Sequence, residues 1–80
     1  MMSRVLDRKM ESFRIILEAV SRGPMRWNEI NKRCLELSSW RLQSGLSWLL
    51  AGGYLERRSK GLYTITARGE ELLKLIRARA

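Results

Sequence analysis

At 80 residues, with 45% hydrophobic and 30% charged side chains, the chain is too apolar to stay disordered, and it amounts to one domain with a thin core. Sixteen Lys and Arg against eight Asp and Glu give a net charge of +8 and a pI near 10.8, which points to polyanionic partners, nucleic acid first and anionic membrane second. With no histidine and Cys34 as its one cysteine, the sequence excludes a disulfide framework, a Cys/His zinc site and histidine acid–base chemistry within one chain.

Residues 1–3 are expected to form a disordered tail, with Ser3 placed to cap a first helix that runs to about Arg22, where Gly23-Pro24 stops it. Leu6, Met10, Phe13, Leu17 and Val20, widened by Val5 and Ile16, make its buried stripe. Arg8, Glu11, Arg14, Glu18 and Arg22 make its solvated face, with Arg14–Glu18 and Glu18–Arg22 as attractive pairs. Its first turns are placed to overhang the core and meet a second subunit. No apolar run approaches the roughly 20 residues of a membrane span. Asp7, Arg8, Lys9 and Glu11 interrupt any signal-peptide core, so the expectation is a cytoplasmic, nucleoid-associated protein with no membrane partner and no small-molecule substrate.

Met25-Arg26 fits a short edge strand. Trp27 or Asn28 then opens a second helix ending near Glu36, with Ile30, Cys34 and Leu35 inward and Cys34 a buried, inert thiol. After a turn of about three residues, Glu36 to Ser38, a third helix runs from about Ser39 to Gly52. Leu42, Leu46 and Leu49 form its buried arc with Leu50 nearby, and Gly45 beside them implies close approach of the second helix. Its opposite face carries Trp40, Ser44 and Ser47, with Arg41 and Trp48 on one flank.

Beyond Gly52-Gly53 the period changes from 3.6 to 2. Tyr54–Arg57 and Leu62–Thr66 read as strands joined by Arg58-Ser59-Lys60-Gly61, with Gly61 supplying a positive φ. Tyr63 and Ile65 share one face of the second strand, Leu62 and Thr64 the other. Thr66 is placed to cap a last helix from Ala67 to about Arg79, with Leu72, Leu73, Leu75 and Ile76 as its apolar face. The fold class is therefore mainly α with a small β-hairpin. Two short helices at a tight turn, followed by a hairpin, are ordered as in a winged helix-turn-helix domain.

GPMRWNEI, from Gly23 to Ile30, resembles the GPLRFNEL segment of HxlR-type winged-helix regulators. The resemblance continues in phase through Ser38, Leu42, Leu46, Leu49, Gly53, Tyr54 and Leu55. LYTITARGEEL, from Leu62 to Leu72, is similar to the Y-x-L-T-x-x-G-x-x-L ending of many prokaryotic winged helices, small archaeal chromatin-associated ones among them. The hairpin is shorter than in HxlR-type proteins, and Cys34 lies elsewhere than their N-terminal cysteine. The resemblance implies a prokaryotic regulator that binds double-stranded DNA as a homodimer.

In helix-turn-helix proteins the second helix of the pair enters the major groove and offers its N-terminal residues to base edges. The candidates here are Ser39, Trp40, Arg41, Gln43 and Ser44, with Ser47 further along the same face. Arg41 suits a guanine and Gln43 an adenine, although Gln43 lies nearer the buried arc; Ser39 and Ser44 suit phosphate or either base. Trp40 either packs on thymine methyls and sugars or folds back over Trp27 as core edge. Trp48 has the same two options and a dimer contact as a third. From Ser39 to Thr66 the basic residues are Arg41, Arg57, Arg58 and Lys60, and the one acid is Glu56. Arg57, Arg58 and Lys60 suit the phosphate backbone or an adjacent minor groove, the bland alternative being a turn kept soluble by charge. Arg26 and Lys32 or Arg33 are placed to add phosphate contacts.

The expected function is a DNA-binding transcription regulator. Its alternatives are a sequence-indifferent nucleoid protein and a protein-interaction module using the Trp40 and Trp48 face. No enzyme and no cofactor or metal is expected, because the carboxylates are scattered, no phosphate-binding glycine loop is present and no nucleophile has a base beside it.

Overall fold

The computed structural model describes residues 3–79, with side chains for residues 8–79. The expected tail at residues 1 and 2, and the side chains of Ser3, Val5 and Leu6, lie outside the described residues; the backbone of Ser3 already belongs to the first helix. Four α-helices and a small sheet follow one another as α1 (Ser3–Ser21), β1 (Met25–Arg26), α2 (Trp27–Arg33), α3 (Ser39–Ala51), β2 (Leu55–Arg58), β3 (Leu62–Ile65) and α4 (Ala67–Arg79). The strands form an antiparallel sheet in the order β1-β3-β2, with Met25 opposite Tyr63 and Leu55 opposite Ile65.

α1 is the organising helix, because it packs against α3, α4 and β3 together. Its Ile16, Leu17 and Val20 are buried with Ile30 and Cys34 from the α2 region, Leu42 and Leu49 from α3, and Leu73 and Ile76 from α4. Each such aliphatic side chain contributes about 1.5–3 kcal/mol on burial, so this one cluster supplies most of what holds so short a chain. Among the described residues, no helix is long and apolar enough to cross a membrane.

Five expectations change. α2 stops at Arg33 instead of Glu36, so five residues, Cys34 to Ser38, join it to α3. The turn there turns Leu35 outward to 80% exposure and gives its place in the core to Leu37. Of the four apolar side chains expected to face inward from α4, Leu75 stands 64% exposed, Leu73 and Ile76 are buried and Leu72 packs at the margin. The close neighbour at Gly45 is α1 and not α2, since a Cβ at that position would lie 2.8 Å from Ile16 Cδ1. On the outer face of α1, Glu18 accepts Arg14 Nη1 at 2.6 Å and Arg77 Nε of α4 at 3.2 Å instead of pairing with Arg22.

Thr66 holds two elements with one hydroxyl. Its Oγ1 donates to the Gly53 carbonyl at 2.6 Å and accepts the Gly69 N–H at 3.1 Å, so it caps α4 and fastens that cap to the exit of α3. Thr66→Ala should cost about 1–2 kcal/mol, visible as a lowered thermal midpoint that Thr66→Ser largely restores. An unchanged midpoint in the alanine variant would show that solvent replaces both bonds.

Candidate nucleic-acid interface

α3 is fixed at both ends by its own sequence. Ser38 is the N-cap, its Oγ accepting the Arg41 N–H at 3.2 Å. At the other end Tyr54 N–H reaches the Leu49 carbonyl at 2.9 Å and Gly53 N–H the Leu50 carbonyl at 3.2 Å. With Gly53 at φ 78°, this is the left-handed termination that glycine makes without strain. It aims the chain directly into β2, so the helix and the hairpin are separated by three residues, Gly52 to Tyr54.

With Leu42, Gly45, Leu46 and Leu49 buried, the rest of α3 is a surface. Ser39, Trp40, Gln43, Ser44 and Ser47 are all exposed, and no acid lies on the helix. Trp40 is 76% exposed, which rules out its folding back over Trp27. Arg41 is the half-buried member of the set. Its Nη2 donates to the Arg8 carbonyl at 3.0 Å and to Ser12 Oγ at 2.8 Å, both on α1. One edge of the guanidinium is therefore committed to the fold, and Arg41 is turned towards the flank instead of standing on the crest of the helix.

Trp48 resolves differently. It is 50% exposed by one side, and its ring stacks on Phe13 with centroids 4.6 Å apart and on Tyr54 at 5.5 Å. Arg68 lies 4.8 Å from the Tyr54 ring centroid. A continuous column of Phe13, Trp48, Tyr54 and Arg68 thus joins α1, α3, the exit loop and α4. Such stacked and cation–π contacts are each worth about 0.5–1.5 kcal/mol beyond area burial. Tyr54 and Arg68 had no place in the sequence-based site. The partners of the column are separated by up to 55 positions, and no local periodicity joins them.

The hairpin carries the rest of the positive charge. Arg57, Arg58, Ser59 and Lys60 are exposed, with Arg57 lying 5.9 Å from the Tyr63 ring centroid and Arg58 in a loose 3.9 Å approach to Glu56. The tip is a single 3₁₀ turn, Ser59–Gly61, in which both Lys60 (φ 62°) and Gly61 (φ 71°) are left-handed. A residue with a Cβ pays about 1–2 kcal/mol for that conformation, so the lysine sits where asparagine or glycine would be easier. Arg26, Lys32 and Arg33 are exposed and, among the described residues, their side-chain cations have no carboxylate within 4.0 Å. Acids Glu11 and Glu18 are by contrast taken up by Arg14 and Arg77, and both raise the Arg14 pKa, the hydrogen bond that Arg14 donates to Glu11 being the largest cause.

Cys34 is fully buried. Desolvation, with a smaller push from the Glu36 carboxylate, raises its pKa and suppresses the thiolate that any nucleophilic or redox role requires.

Comparison with protein-family models, with curated proteins and with solved structures finds no match for this chain. What the surface does is therefore read from its own chemistry.

Proposed function

We propose that the chain is a winged helix-turn-helix domain that binds double-stranded DNA as a prokaryotic transcription regulator, acting as a homodimer. α3 enters the major groove and the β2–β3 hairpin serves as the wing, on the phosphate backbone or in the adjacent minor groove. The observation that carries this reading is the exposed, acid-free face of α3 running within three residues into a hairpin that carries Arg57 and Arg58 at the end of β2 and Lys60 in its tip. The left-handed Lys60 supports it, since backbone strain at an exposed residue is commonly kept where that residue's side chain is used.

The test is affinity for duplex DNA against salt. Several phosphate contacts require a log–log slope of about −0.9 for each, and a flat response would end the proposal.

One observation favours a second reading, a sequence-indifferent nucleoid protein. Arg41, the residue best suited to grip a guanine, has Nη2 engaged by Arg8 and Ser12, leaving serines, Gln43 and Trp40 as the outward groups. Competition between a duplex selected from a random pool and an unselected duplex separates the two. A ratio near one favours the nucleoid reading, whereas a regulator discriminates by about 10³ or more.

A further inference from the structure

An open cleft of about 300 Å³ lies between the first half of α1 and the N-terminal half of α3, at the lower end of the range for small-molecule sites. Gly45 leaves its floor without a side chain on the α3 side, and the Phe13 ring supplies an apolar base. Its rim carries Arg8 and Lys9 from α1 and Arg41 from α3, and no carboxylate lines it among the described residues.

The wall is aromatic, and its two indoles differ. Trp48 already stacks on Phe13 and Tyr54, whereas Trp40 is 76% exposed and has no ring partner among the described residues. Arg41 is equally particular. Its Nη2 is anchored on the Arg8 carbonyl and Ser12 Oγ, which holds the guanidinium still and leaves Nε and Nη1 without a protein acceptor among the described residues. An anchored guanidinium beside an uncovered indole recognises two things at once, an anion in the plane of its donors and a flat ring against the indole.

We propose that this cleft binds a small planar aromatic carboxylate, its ring against Trp40 and its carboxylate on Arg41 with Arg8 and Lys9 adding charge. A neutral aromatic forgoes the guanidinium, and an aliphatic acid forgoes the stacking. Duplex DNA presents no free ring to Trp40 without unstacking a base. The cleft exists without DNA, so the inference stands apart from the reading above; it meets that reading because Trp40, Arg41 and Ser44 belong to both surfaces, and an occupied cleft alters what α3 offers a duplex.

The test is a titration of the nitrogen-15-labelled full chain with 2-naphthoate, followed through the indole N–H resonances of Trp27, Trp40 and Trp48 with no DNA present. Saturable shifts of Trp40 and Trp48 with Trp27 unmoved are expected, with 2-naphthamide and cyclohexanecarboxylate each binding about 10-fold or more weakly. Arg41→Lys should weaken 2-naphthoate about 10-fold by removing the planar fork, and Lys9→Gln, at an exposed position that leaves the Arg41 anchor intact, by roughly threefold. Absent or unsaturable shifts, equal binding of 2-naphthamide, or an oligothymidylate single strand moving the same signals where 2-naphthoate does not, would each overturn the proposal. Duplex binding is measured separately by its salt slope, so the two readings fail independently.

Discussion

Replacing Gly69 by alanine should destabilise the domain by about 3 kcal/mol and lower its thermal midpoint by roughly 12–24 °C. Gly69 is the third residue of α4 and is buried. A Cβ there would run into the Tyr54 carbonyl oxygen and come within 2.8 Å of Ile65 Cγ1. The carbonyl cannot swing aside, because it belongs to the backbone and accepts the Thr66 N–H at 3.2 Å. Helix propensity pulls the other way, since alanine gains about 1 kcal/mol over glycine in a helix, and the collision outweighs it. Gly45 provides the contrast. Its Cβ would meet only the flexible end of Ile16, at 2.8 Å, so Gly45→Ala should change stability by no more than about 1 kcal/mol, because the propensity gain offsets the repacking. Thermal and urea denaturation of both variants measures the difference. Equal midpoints would show that α4 is not seated on the Tyr54 backbone as described. For a chain of this size the whole margin is about 4–12 kcal/mol, so the Gly69 variant alone would consume a large part of it.

Neutralising the proposed wing should have the largest effect on binding. The triple variant Arg57→Gln, Arg58→Gln, Lys60→Gln keeps side-chain length and polarity, and all three positions are exposed. If each cation touches one phosphate, the salt slope should become shallower by about 2.7, and affinity near 0.15 M salt should fall roughly 100-fold on every duplex sequence alike. Loss of the Arg57–Tyr63 contact and of the loose Arg58–Glu56 pair should cost no more than about 1 kcal/mol of stability. A folded triple variant with an unaltered slope would remove the hairpin from the DNA-binding surface. Arg41→Ala reports on something different. If Arg41 reads a base, the preference for one sequence falls while the slope barely moves.

Element order was legible in the sequence because each element announces itself locally. Gly23-Pro24 ends α1, Gly52-Gly53 ends α3, Thr66 opens α4, and the apolar period shifts at Tyr54. The end of α2 was not legible, because Cys34 to Leu37 turn without a glycine or proline, and an uninterrupted helical pattern carried Leu35 to the wrong side. Neighbours across the fold were not legible either. Gly45 signalled a close approach, but only the packing says that α1 makes it. The same limit applies at the candidate site. Exposure of Ser39, Ser44 and Ser47 follows from their angle to the Leu42, Leu46 and Leu49 arc. The restraint of Arg41 by groups 29 and 33 residues earlier has no trace in local spacing. Trp40 and Trp48 share a residue type and a helix, yet one is bare and the other is clasped, because Phe13 and Tyr54 come from elements that periodicity cannot bring together.

The column of Phe13, Trp48, Tyr54 and Arg68 has a consequence for rates. It grips the second half of α3 from two other helices, while Ser38 and Arg41 secure the first half. A helix held in this way keeps its shape in the free protein, so an incoming molecule does not wait for it to form and loses little freedom in ordering it. If α3 is the binding surface proposed above, capture there is a rigid-body encounter, its speed set by diffusion and by the attraction of a +8 chain for negative charge.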